Sequence, residues 1–118
     1  MNDIELLTQA AKAAKLDVRP LPEWADGEWS GLIIYRDGEL SQTNWNPLND
    51  DGDAFRLAVQ LGIHVWQYIK HQEVNCGVDH EDYEQPIVGI SIGESFDNDP
   101  YAATRRAIVR AAAAIGGN

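Results

Sequence analysis

The sequence predicts an α+β fold in the order αββαββα: a four-stranded, mainly antiparallel sheet with helices packed on it. Three observations carry this expectation. Three segments place apolar or alanine residues at helical spacing between capping residues, and two pairs of segments alternate with the period of a strand. No Pro/Gly/Ser-rich linker interrupts the 118 residues, so a single domain over 1–118 is expected, long enough to bury a core without disulfide or metal staples.

The first helix is placed over Asp3 to Lys15. There Ile4, Leu7, Ala11 and Ala14 recur at helical spacing, Asn2 or Asp3 suits the N-cap, and Lys12 and Lys15 complement the C-terminal end of the dipole. From Leu16 to Ser30, Pro20, Pro22 and Gly27 interrupt regular structure, so a connecting loop with room for a short strand is expected. Gly31 to Arg36 is apolar and β-branched, Asp37-Gly38 is a two-residue turn signal, and Glu39 to Asn44 returns with alternating polarity as the second arm of a hairpin. The second helix follows Pro47 and an Asn/Asp cluster; Phe55, Ala58, Val59 and Gly62 share a face, and Gly62 suits the position just past the end.

Ile63 to Lys70 and Ile87 to Gly93 alternate with period two and read as strands. The polar residues between them, His71 to Pro86, are expected to form a long loop that holds much of the acid. The last helix is the most clearly marked. Asp99 suits the N-cap, Pro100 the first helical position, Tyr101 to Ile115 is Ala-rich with Ile108, Ala112 and Ile115 on one face, and Gly116-Gly117 ends it.

Charge is segregated along this chain. Between Asp37 and Thr104 thirteen carboxylates face two cations, Arg56 and Lys70, whereas the remainder holds six acids against seven bases, for a formal net charge of −10. Such a field attracts basic partners and repels nucleic acids and anionic membranes. With 44% apolar and 24% charged residues the composition is nevertheless that of a folded domain. The lone Cys76 excludes an intrachain disulfide and any multi-cysteine metal motif, which points to a reducing compartment, the cytosol. An acidic N-terminus without a signal-peptide pattern and the lack of a membrane-length apolar run agree with that expectation.

Four motifs invite chemistry. Gly89-Ile90-Ser91-Ile92-Gly93 matches the G-x-S-x-G nucleophile elbow, but the alternation runs straight through Ser91, no helix follows at once, and every His precedes it; small residues of a strand lying under a close-packed helix are the expectation. His64, His71, Cys76 and His80, with Asp79, Glu81 and Asp82 nearby, offer zinc-type ligands, including the admissible spacing Cys76-x-x-x-His80, although a polar loop with incidental histidines is the simpler account. Asp50, Asp51 and Asp53, like Asp97 and Asp99, are read as helix-entrance acids that accept orphan backbone N–H groups. Arg105, Arg106 and Arg110 are read as a solvated face or as partners of nearby acids rather than as a nucleic-acid footprint. Among the four tryptophans, Trp45 and Trp66 are expected to be structural, and Trp24 or Trp29 to be the exposed contact.

Two segments, Trp45-Asn46-Pro47-Leu48-Asn49-Asp50-Asp51-Gly52-Asp53-Ala54 and Asn98-Asp99-Pro100-Tyr101-Ala102-Ala103-Thr104-Arg105-Arg106-Ala107, together resemble small tailed-phage proteins of the ABA-sandwich domain family, and more loosely the NinX-like phage proteins. The correspondence spans roughly Asn44 to Gly116, and Asn49 stands where that family more often has Ser or Thr. The resemblance implies a compact α/β sandwich and a phage or prophage origin; it brings no catalytic residues. Accessory phage proteins commonly act by binding, including against host defence systems.

The leading expectation is therefore a non-enzymatic, acidic accessory protein without a cofactor. It binds a basic protein surface in the host cytosol and competes there with nucleic acid, as an inhibitor of a nuclease, CRISPR effector or transcription factor would. Its contact residues are expected to be Glu73, Asp79, Glu81, Asp82 and Glu84, supported by Glu94 and Asp97, with Trp24 or Trp29 as aromatic anchor. Neither direct nucleic-acid binding nor a membrane role is expected. A metal-binding domain or metal-dependent enzyme using His64, His71, Cys76 and His80 is the rival, and a homo-oligomeric structural or assembly component is a third reading.

Overall fold

The computed structural model describes residues 1–23, 25, 27, 29–36, 41–78 and 90–117. Its elements run α1 (Asp3–Ala13), β1 (Val18–Pro20), β2 (Leu32–Arg36), β3 (Ser41–Trp45), α2 (Asp51–Leu61), β4 (His64–Tyr68), a 3₁₀ turn (Ile69–His71), β5 (Glu73–Val78), β6 (Ile90–Ser95) and α3 (Pro100–Gly116). The strands form two three-stranded antiparallel sheets, ordered β1-β2-β3 and β4-β5-β6. The α+β class stands. The single four-stranded sheet is replaced by two sheets of three: β5 forms where a polar loop is expected, and β1 takes the place allowed for a short strand between Leu16 and Ser30.

The more consequential of these is β5. Residues Glu73 to Val78 were expected to belong to a polar loop, yet they form the central strand of the second sheet, paired on both edges. Val74, Cys76 and Val78 alternate into the core at 0, 0 and 3% exposure. That period-two signal spans only three apolar residues between acidic neighbours, too short to stand out as a strand. The other addition, β1, ends at Pro20 on a sheet edge, where a missing N–H costs no ladder bond.

Registers also shift. Leu32 pairs with Trp45 and Arg36 with Ser41, a register two residues away from the one that a turn at Asp37-Gly38 would set; residues 37–40 lie outside the described residues. The expected strand Ile87–Gly93 is observed as Ile90–Ser95, and its first three positions lie outside the described residues. The alternating segment after Ile63 stops at Tyr68, and the 3₁₀ turn closes with Gln72 in the left-handed region.

Helix boundaries follow the capping chemistry. Asn2 Oδ1 accepts the Glu5 N–H at 2.8 Å, Asp50 Oδ2 the Asp53 N–H at 2.8 Å, and Asp99 Oδ1 the Ala102 N–H at 3.0 Å. Each such cap is worth about 1 kcal/mol. Helix α2 ends on Gly62 at φ +67°, the left-handed conformation that a glycine adopts without strain.

One core joins both sheets to the helices. Helix α3 lies on β5 and β6 and also packs against α1 and α2. Asp3 meets Arg106 and Gln9 meets Gly116, so α1 and α3 run side by side in the same direction. Their contact is made of alanines, among them Ala10, Ala11, Ala107 and Ala111, which are fully buried. Small side chains let the helix axes approach closely, and Gly116 continues this to the end of α3. Trp45 is structural as expected, at 4% exposure.

Two expectations about buried faces are overturned. Helix α2 buries Ala54, Leu57, Ala58 and Leu61, while Phe55 and Val59 are 69 and 66% exposed. It packs on α3 with the first set, and the second apolar stripe is left outside. Trp66 is not structural but 49% exposed, on the face of the second sheet that turns away from α3, stacked on His64 at 5.5 Å between ring centroids.

Candidate functional site

Of the sequence-predicted contact residues, Glu73, Glu94, Asp97 and Trp29 are among those described. Glu73 is exposed at the start of β5, and Asp97 is exposed just beyond β6, accepting a hydrogen bond from the Ser95 hydroxyl at 3.2 Å. Because β5 and β6 are antiparallel and Glu73 pairs with Ser95, these two acids lie at one end of the sheet. Val78 ends β5 at the other end, about 17 Å away along the strand. Asp79, Glu81, Asp82, Glu84 and Trp24 lie outside the described residues. Trp29 is half-buried and engaged in contacts, not an exposed anchor.

Glu94 is engaged within the chain. It alternates onto the α3 side of β6 and is ion-paired with Arg110. The same holds for the other arginines whose side chains are described. Arg105 donates to Asp51 at 2.6 Å and to the Leu48 carbonyl at 2.8 Å, tying α3 to the entrance of α2. Arg106 meets Asp3 at 3.3 Å, Arg56 meets Asp53 at 2.7 Å, and Arg19 meets Asp17 at 3.5 Å while lying 4.9 Å over the Tyr35 ring. The pairing anticipated for Arg105, Arg106 and Arg110 is thus observed, through acids near in space rather than in sequence.

The helix-entrance reading of the aspartates holds for Asp50 and Asp99, which cap. Asp53 serves differently: one oxygen accepts the Asn46 N–H at 2.9 Å and the other the Arg56 guanidinium. These groups border a polar cleft of about 400 Å³ with Ser30, Thr43, Asn44 and Asn49. Its hydrogen bonds fasten the β3–α2 connection to the start of β2, through Asn44 to the Leu32 carbonyl and Asn46 to the Ser30 hydroxyl. Asp97 does not cap; it occupies a turn at φ +46°.

The metal constellation is taken apart by the register. Cys76 sits opposite Val65 and faces the helices, fully buried, whereas His64 sits opposite Gly77 and so faces the other side of the sheet. His71 belongs to the 3₁₀ turn beyond β4, and His80 lies outside the described residues. Among the described residues no group of three or more His, Cys, Asp or Glu is placed to hold a metal ion. Burial pushes the Cys76 thiol up to about 12, so it is a neutral apolar side chain at physiological pH.

That shift predicts a pH dependence. The folded-state value is raised above the unfolded one, so the stabilisation is complete below about 9 and is lost as pH climbs from 9 toward 12, where only the unfolded chain releases the proton. Urea unfolding of the wild type is expected to weaken over that range by up to about 1.4 kcal/mol per pH unit, a slope that Cys76→Ala removes. A thiol reagent at neutral pH should modify Cys76 only as fast as the protein opens.

Ser91 is no nucleophile elbow. It lies within β6 and donates to Asn75 Oδ1 at 3.1 Å. Nor is it beneath a helix: Ser91 and Gly93 are exposed, and Ile90 and Ile92 take the α3 side.

A feature the sequence reading missed is an apolar groove of about 730 Å³ between α2, β4 and the start of α3. Phe55, Val59, Val65, Ile69 and Tyr101 are among the residues that line it. The charged members of its lining, Asp51 and Arg105, neutralise each other. A signal was available. Residues 54, 55, 57, 58, 59 and 61 of α2 are all apolar, more than one helix face against one neighbour can bury. No helix among the described residues is long and apolar enough to cross a membrane. Compared with models of known families, with curated proteins and with solved structures, the chain matches none.

Proposed function

We propose that this chain is a non-enzymatic binding protein that engages a basic protein surface. The observation that supports it is the use of cations. Each arginine whose side chain is described is already committed to an acid of its own chain, and the formal charge is still −10. The surplus is therefore presented outward as carboxylate, with Glu73 and Asp97 exposed at one end of the second sheet. Exposed carboxylates accelerate encounter with Lys- and Arg-rich surfaces and contribute little to anything else. Lys and Arg surfaces that hold phosphates are the natural targets, so the partner in this reading is a nucleic-acid-binding protein. With the phage resemblance, it belongs to the bacterial host, in its defence or regulation.

Capture from bacterial lysate at low salt, followed by release at about 0.5 M salt, selects candidates by the expected sensitivity to screening. The deciding measurement is titration of the purified partner. Reversing Glu73, Asp79, Glu81, Asp82 and Glu84 to Lys is expected to weaken binding by roughly a hundredfold or more, mostly through a slower on-rate. Unchanged affinity, or a partner whose binding surface is neutral, would refute the proposal.

A further inference from the structure

We infer that the face of the second sheet turned away from α3 seats an arginine of the partner protein, its guanidinium stacked on Trp66 and paired with Glu73. The inference deepens the basic-partner reading and rests on it, naming arginine as the contact and this face as its seat. The strand registers bring the groups together. Trp66 lies opposite Asn75 and Asn75 opposite Gly93, while in the next row Tyr68 lies opposite Glu73 and Glu73 opposite Ser95. Residues in register share a face, and the alternation that turns Val74 and Cys76 inward turns these outward. Val78 and Ile90 pair at the opposite end of β5 and β6 from the row of Glu73.

Exposure and spacing suit a flat cation. Trp66 and Tyr68 are 49 and 45% exposed, and Glu73, Gly93 and Ser95 are exposed with them. Trp66 and Glu73 are diagonal neighbours on adjacent strands, roughly 7–8 Å apart at the backbone, a span that one guanidinium bridges between ring and carboxylate. Gly93 adds room. A Cβ there would come no nearer than 3.8 Å to Asn75 Nδ2 and 4.0 Å to Glu73 Oε1, so the carboxylate borders a shallow gap floored by backbone. His64 stacks on Trp66 at 5.5 Å between centroids, and the indole is still half-exposed.

Charge selects the occupant. An exposed indole suits a nucleobase, a sugar or a flat cation alike. Glu73, with Asp97 held beside Ser95 at the same end, repels the phosphates of nucleic acid and attracts a cation. No Lys or Arg stands at any of these register positions; Arg110 is drawn to the α3 side by Glu94, and Lys70 belongs to the turn after β4. Arginine fits better than lysine. Its guanidinium is planar and weakly hydrated, and it donates N–H bonds to a carboxylate in its own plane while its face lies on a ring.

The test titrates the full chain at low salt with a capped peptide of alternating glycine and arginine, and with analogues carrying lysine or citrulline instead, followed by nuclear magnetic resonance. The arginine peptide is expected to shift the Trp66 indole N–H and the Gly93 amide, and to bind roughly threefold or more tighter than the lysine peptide. Trp66→Ala and Glu73→Gln, at exposed positions where circular dichroism is expected to stay unchanged, should each weaken it about tenfold. Reversing Asp79, Glu81, Asp82 and Glu84 to Lys with Glu73 retained should keep the Trp66 shift at saturation. Equal affinity for the arginine and lysine peptides, or binding that the four reversals abolish and Trp66→Ala spares, overturns this inference while leaving the basic-partner reading intact. A citrulline peptide that shifts Trp66 as strongly overturns it as well. So does an arginine peptide that leaves Trp66 unmoved, and titration of the purified partner then decides the basic-partner reading by itself.

Discussion

Replacing Val74 by Asp is expected to abolish the folded state, while Asn75→Asp at the next position is expected to change stability by less than about 1 kcal/mol. Val74 has no exposed surface, sits at the centre of β5 between Gln67 and Glu94, and packs beneath α3. Its side chain lies in the layer of Val65, Cys76 and Ile92, so a carboxylate there would be desolvated beside Glu94, whose only described cation is shared with no other acid. An uncompensated buried charge costs several kcal/mol, a large part of what a domain of this size has. Asn75 points to the opposite face and accepts a hydrogen bond from Ser91 through Oδ1, an acceptor that Asp retains. Circular dichroism and urea titration of the pair distinguish a central strand from a surface loop. If Val74→Asp unfolded at the wild-type denaturant concentration, residues 73–78 would not be the core strand described.

Gly116→Ala is expected to destabilise the protein by about 1–3 kcal/mol, and Gly117→Ala to leave it unchanged or slightly more stable. A Cβ on Gly116 would lie 2.0 Å from the Gln9 carbonyl oxygen and 3.2 Å from the Ala13 nitrogen. Both are backbone atoms of α1, so no side chain can rotate away and the helices themselves must separate. At Gly117 the nearest atom is 3.4 Å away and φ is −82°, a conformation open to any residue. The contrast is measured by the urea midpoint of each variant. Equal effects at the two glycines would mean that the α1–α3 contact does not depend on close approach at its end.

Neighbours in sequence part in the fold at Glu73, Glu94 and Cys76. In sequence Glu73 belongs to one acidic segment with Asp79, Glu81, Asp82 and Glu84, but it is fixed at the start of a strand whose far end is Val78. Glu94, offered as a supporting contact, turns inward to Arg110 because β6 alternates and its odd positions face out. Cys76 is separated from His64 for the same reason. In each case a one-residue step along a strand reverses the face of the sheet, which proximity in sequence cannot reveal.

Local chemistry was legible in the residues themselves. Asn2, Asp50 and Asp99 cap because their side chains reach back to N–H groups three residues on, and Gly62 and Pro100 mark an end and a start for equally local reasons. The α+β class followed from the same periodicities. What only the tertiary structure decided is which apolar residues are covered. Val74, Cys76 and Val78 become a core strand because α3 lies over them, and Phe55 and Val59 stay outside because α2 spends its other face on α3. Burial is a property of neighbours brought together from distant parts of the chain, so a pattern of hydrophobicity states how much surface seeks cover but not which part of it the fold will leave for a partner.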